Sequence, residues 1–168
     1  MKTPVRWLLA ACMAAVGATA LSGCKKDAPQ ASTQAAPQIP PVPARDDDAG
    51  WKLYLQAVVG ENLGTITNSP FLYYLPPQSD PDFETKFGTQ VEKARLDLSR
   101  GVQKDNLLAF GSPASAKMAE LIEMAFQEVP VDSMKGVHIM FIGDAADDAR
   151  AKTAVLPSGA DYQFIEAK

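Results

Sequence analysis

From residue 49 onward the apolar positions fall into two recurring patterns. One has the period of a helix and the other has the length of a short buried strand. Asp48 can cap a first helix whose Trp51, Leu55, Val58 and Val59 share one face. Gly60 to Pro70 is rich in turn residues. The apolar, aromatic run Phe71-Leu72-Tyr73-Tyr74-Leu75 then predicts a buried strand. A strong helix signal follows. Asp80 is a candidate cap, Pro81 suits the first helical position, and Asp82 and Glu84 suit the positive end of the dipole. Phe83, Phe87, Val91, Ala94 and Leu98 step by four, four, three and four, so they line one face, and Gly101 is placed to end the helix.

Leu107-Leu108-Ala109-Phe110 reads as a second strand. Ser112-Pro113 opens a third helix with Met118, Ile122, Ala125, Phe126 and Val129 inward and Pro130 as its stop. Gly136 to Ile142 is the clearest strand in the chain, and its nearly unbroken apolar run fits a central strand covered on both sides. Asp144 begins a short Ala-rich helix ending near Leu156-Pro157-Ser158-Gly159. Tyr162 to Glu166 alternates apolar and polar residues, as an edge or half-buried strand does. Strands alternating with helices imply parallel pairing through right-handed crossovers. The expected fold is a small three-layer, doubly wound α/β domain over 49–168, with a four-stranded mostly parallel sheet and helices on both faces. No internal repeat is present.

The first 23 residues have a different character. Lys2 and Arg6 make a charged start, Trp7 to Leu21 is an uncharged Ala-rich run, and Ser22-Gly23 leads to Cys24. This is the layout of a signal peptide, and the run is short for a spanning helix, which needs ~20 apolar residues. Leu21-Ser22-Gly23-Cys24 resembles the lipobox of bacterial lipoproteins. That resemblance covers the leader alone. It implies cleavage before Cys24, a diacylglycerol on its thiol and an acyl chain on the new amino group. Each buried methylene contributes ~0.8 kcal/mol and stable anchoring takes more than one chain, so such a group holds a protein permanently. In lipoproteins of enteric-type bacteria an Asp after the cysteine favours the inner membrane. Lys25 here leans towards the outer membrane, with the domain facing the periplasm.

Residues 24–48 read as a linker dominated by Ala, Gln and Pro, a composition that cannot bury a core. Its Pro-rich half should be extended at ~3.1 Å per residue. Without 1–23 the chain carries 14 basic and 20 acidic residues, a formal charge of −6. With no long basic run, this argues against nucleic acid as a partner. Cleavage would also remove Cys12, leaving only an acylated Cys24. The domain then has no disulfide, thiol nucleophile or thiolate metal site.

Ligands of doubly wound sheets bind beyond the carboxyl ends of the strands, at the switch point of strand order. Three loops meet that description. The first holds Ser79, Asp80 and Asp82, the second Gly111, Ser112 and Ser115, and the third Gly143, Asp144, Asp147 and Asp148. The acids can hold Mg²⁺ or Ca²⁺ through carboxylate oxygens, or simply cap helices and meet helix dipoles. Each lies where a cap or first-turn acid belongs, which is the simpler reading. The second loop offers backbone N–H groups at a helix start, and these can seat an anion; Ser112 also serves as a plain N-cap. It lacks the lysine of a phosphate loop. The one histidine, His138, sits at the far end of a central strand, away from all three loops. Ser115-Ala116-Lys117 lacks the spacing that places a lysine one turn from a serine. Trp51, Phe71, Tyr73 and Tyr74 read as core, with Tyr73 and Tyr74 on opposite faces.

Two functions remain open. One is a non-catalytic, tethered envelope protein that binds a protein or wall partner as an accessory subunit or inhibitor. The other is a small carboxylate-dependent enzyme, with or without Mg²⁺ or Ca²⁺, centred on Asp80, Asp144 and Asp147. No cofactor is expected. The lipobox makes a direct prediction: Cys24→Ser moves the protein from the membrane to the soluble fraction on ultracentrifugation, and unchanged fractionation refutes it.

Overall fold

Along each central strand successive side chains face opposite layers, and here both layers are apolar. Leu108 and Phe110 of one strand join one buried cluster while Leu107 and Ala109 join another. The computed structural model describes residues 39–168. The leader, the lipobox cysteine and linker residues 24–38 lie outside the described residues. The elements are α1 (Asp48–Glu61), β1 (Phe71–Tyr74), α2 (Phe83–Ser99), β2 (Leu107–Gly111), α3 (Ser115–Phe126), β3 (His138–Gly143), α4 (Ala145–Val155), a 3-10 turn (Leu156–Ser158) and β4 (Asp161–Glu166). The four strands form one parallel sheet in the order β1-β2-β3-β4. This is the expected α/β architecture. No helix among the described residues is long and apolar enough to cross a membrane.

The sheet places its aromatics in register. Tyr73 pairs with Phe110, Phe110 with Phe141, and Phe141 with Phe164, so one row of rings runs across all four strands. Tyr73 and Phe110 stack with centroids 4.6 Å apart, and Phe141 and Phe164 lie 5.7 Å apart. The predicted stripe of α2 packs on this face, with Phe83, Phe87, Val91, Ala94 and Leu98 all buried. Met118, Ile122, Ala125 and Phe126 of α3, and Ala151 and Val155 of α4, complete the layer. Val129, expected inward on α3, lies beyond its end and is only partly buried.

On the other face α1 is the only helix among the described residues. Its Trp51, Tyr54, Leu55, Val58 and Val59 cover Leu107, Ala109, Met140 and Ile142. Helices do lie on both faces, but three on one and one on the other. The reason is the strand order. Each crossover moves to the next strand in the same direction, so crossovers of one hand leave α2, α3 and α4 on one side. The winding never reverses among these strands, and the expected switch point does not exist.

Several helix starts also differ from expectation. Asp47, not Asp48, caps α1, its Oδ1 accepting from the N–H of Gly50 at 2.8 Å. Asp80 and Pro81 do not open α2. Asp80 closes a turn ahead of it, accepting from the Asp82 N–H at 2.8 Å through its side chain and from the Phe83 N–H at 3.0 Å through its carbonyl. α3 begins at Ser115, three residues after Ser112. Short polar side chains compete for backbone N–H groups in this way and form turns in place of helix caps.

Gly111 shows how closely α1 sits on the sheet. A Cβ there would run into the Leu55 side chain, whereas a Cβ at Gly88 on α2 meets nothing. Gly111→Ala should therefore cost ~1–3 kcal/mol through overpacking. Gly88→Ala should stabilise by ~0.5–1 kcal/mol, the usual Ala advantage inside a helix. Urea unfolding of the two variants beside the parent checks both signs.

Candidate functional site

The exit loops of β1, β2 and β3 lie side by side because their strands are neighbours. Two serines stitch them together. Ser112, buried in the second loop, donates to the Leu75 carbonyl at 2.9 Å and accepts from the Ala114 N–H at 2.8 Å. Ser115, also buried, accepts from the Asp144 N–H at 2.8 Å. Gly143 makes this approach possible, since a Cβ there would stand 2.5 Å from the Ser115 Oγ and 2.7 Å from the Phe141 ring.

Over this edge runs the segment leading into α1. Val42 packs beside the α1 cluster, and the Trp51 Nε1 donates to the Ala44 carbonyl at 3.0 Å. Arg45 then reaches across. Its Nη1 donates to the Pro113 carbonyl at 2.8 Å, and its Nη2 donates to both Asp144 carboxylate oxygens, at 3.0 and 2.9 Å. A cleft of about 320 Å³ lies here, walled by Arg45, Asp46, Gln78, Ser79, Ser115 and Asp144 among others. By composition Arg45 belongs to the Ala/Gln/Pro-rich linker. Its one local signal is that no other basic residue lies between Lys26 and Lys52. The contacts that matter span 68 and 99 residues of sequence, beyond any local pattern.

The remaining candidates are dispersed. Asp80 pairs with Lys86 at 2.7 Å, beside a second hollow lined by Asp48, Lys52 and Tyr74. Asp148 accepts from the Tyr162 hydroxyl at 2.9 Å. Asp147 and Asp148 lie in the first turn of α4. Asp82 and Asp144 occupy cap positions, yet neither side chain makes a cap bond. Gly111 and Gly143 end their strands and shape the packing there. Among the described residues no three His, Cys, Asp or Glu side chains gather as a metal-ligand set. Asp80, Asp144 and Asp147 thus do not form the joint centre considered from sequence. His138 sits at the start of β3, 3.9 Å from Asp161 and at the other end of the sheet from the cleft. Tyr73 and Tyr74 do face opposite layers.

Electrostatics at this end favour ionised acids. The hydrogen-bonded Lys52 ammonium holds the Asp48 carboxyl below the ordinary carboxylate range, against some burial and with help from the Tyr74 hydroxyl. Lys86 does the same for Asp80, aided by the Asp82 N–H. Burial first, and then Asp48, push the Tyr74 phenol far above its ordinary value, so it remains a donor. Exposed ion pairs of this kind are weak and screened by solvent, the Arg45–Asp144 pair included, in which Nη2 alone meets both carboxylate oxygens.

No protein-family model matches the chain, and no curated protein and no solved structure matches it.

A depressed folded-state pKa stabilises the fold above the unfolded value and loses that contribution as pH falls through the folded one. Asp48 and Asp80 both behave so, from an ordinary value of 3.8. The urea midpoint should hold between pH 7 and pH 5 and decline below about pH 4. The decline should be shallower in the double variant Asp48→Asn/Asp80→Asn, and an equally steep fall in that variant refutes the assignment.

Proposed function

We propose that this chain is a membrane-anchored envelope lipoprotein whose α/β domain binds a protein or cell-envelope partner at the carboxyl edge of its sheet. The lipobox Leu21-Ser22-Gly23-Cys24 carries the reading. It specifies attachment, and attachment is useful to a protein that must be held where a partner passes. The cleft beside Arg45 and Asp144 is the place on the described domain that best fits such a partner. It is concave, it is lined by groups of both polarities, and its walls come from three adjacent exit loops and the leading segment. From residue 39 onward there are 12 basic and 19 acidic side chains, a formal charge of −7, which steers a basic partner towards the domain.

A photoreactive residue at Ser79, in the cleft wall, tests the reading in intact envelopes. A control residue goes at Lys104, exposed in the loop before β2 and therefore at the opposite end of the strands. A discrete adduct is expected from Ser79 and not from Lys104. No adduct, or equal adducts from both positions, overturns the proposal.

A further inference from the structure

Asp144 sits where a helix-capping carboxylate belongs, with extended backbone angles (φ −78°, ψ 142°), yet its side chain caps nothing. Both carboxylate oxygens turn to Arg45 instead. The Asp144 N–H is held by the Ser115 hydroxyl, which fixes the direction in which the carboxylate leaves the chain. The Pro113 carbonyl, on the neighbouring exit loop, accepts from the other terminal nitrogen of the same guanidinium. One carboxylate and one carbonyl, carried by two loops that a serine locks together, thus match the planar fork of a guanidinium, a geometry a lysine ammonium does not reproduce.

The occupant is easily exchanged. The Arg45 side chain is 65% exposed and that of Asp144 39%, so solvent and solutes reach the pair without unfolding. Arg45 belongs to the segment ahead of α1 rather than to an element of the sheet. The cleft beyond it offers further acceptors on Asp46, Gln78 and Ser79.

We propose that the Asp144 carboxylate and the Pro113 carbonyl form a guanidinium-binding subsite, that Arg45 fills it in cis, and that an arginine side chain of a protein partner takes its place. This rests on the partner-binding reading above and names both the chemistry recognised and its built-in competitor. The competitor sets a threshold. An intramolecular exposed ion pair of this type reduces apparent affinity roughly two- to fivefold, so only a partner that also fills the rest of the cleft binds well. Displacing Arg45 loosens the segment at Ala44, whose carbonyl is hydrogen-bonded to the buried Trp51 indole. Trp51 is therefore an internal reporter of occupancy.

The test uses the lipid-anchored chain extracted in mild detergent, in which removal of the leader with Trp7 leaves Trp51 as the one tryptophan. The probe is an end-blocked tri-arginine peptide, followed by calorimetry and Trp51 emission. The parent should bind the peptide with a red shift of that emission. Arg45→Ala should bind it roughly two- to fivefold tighter, and Asp144→Asn at least about tenfold more weakly. Equal affinity for the parent and Arg45→Ala, undiminished affinity for Asp144→Asn, or no binding to Arg45→Ala overturns the proposal. The two readings fail separately. A Ser79 adduct without these peptide effects removes the arginine subsite and leaves the partner reading. Peptide effects without a Ser79 adduct remove the partner reading, and with it the occupant in trans.

Discussion

The row of rings Tyr73, Phe110, Phe141 and Phe164 is the constraint around which the rest is arranged. Four aromatic side chains in one register row make one face of the sheet continuous, and α2, α3 and α4 pack over it. The opposite face is built from Leu107, Ala109, Met140 and Ile142, and ends at Gly111. Among the described residues one helix, α1, covers it. The same row limits the carboxyl edge. The Phe141 ring lies so close to the next residue on its own face that only glycine fits at 143, and that glycine lets Ser115 reach the Asp144 backbone. Packing in the core and polar order at the edge are therefore parts of one arrangement.

The edge works as a set of cross-ties between segments that have no secondary structure in common. Ser112 ties the first exit loop to the second, Ser115 ties α3 to the third, and Arg45 ties the leading segment to both. The serine ties are buried and the arginine tie is exposed. A buried hydrogen bond is expensive to break because its groups are left unsolvated, while an exposed ion pair exchanges readily with water. The loops are thus rigid relative to one another and the strap above them is the part that yields. This difference in stiffness underlies the reading of Arg45 as an occupant rather than a wall.

Much of the fold was legible because it rests on short-range periodicity. The stripe from Phe83 to Leu98 and the apolar run before Gly143 identify their elements without reference to the rest of the chain. Helix starts were less legible. Asp80 and Ser112 carry the residue types of caps but spend their side chains on turns one step earlier. Strand order was not legible, since alternation of elements is compatible with a reversal of winding or with none. The candidate site was half legible. Ser79, Ser115 and Asp144 do line one cleft, but Asp80 and Asp148 take other partners, and Asp147 lies in the first turn of α4 outside the cleft wall. Arg45 was invisible in a Pro-rich stretch whose composition suggests no structure, because its partners are distant in sequence.

The uninterrupted strand order has a consequence for how the chain assembles. Each strand lies beside the one synthesised just before it, so the sheet can grow from one edge by adding a helix and a strand at a time, with only short loops to close. The exception is α1. It comes first in the chain, yet much of its binding surface, Met140 and Ile142, belongs to β3 and is made only after β1, α2, β2 and α3. The first helix must wait for the third strand, and the segment that carries Arg45 waits with it. The cleft, whose walls run from Arg45 to Asp144, is complete only once β3 is in place, and a residue near the start of the domain thus depends on one made after three of its four strands.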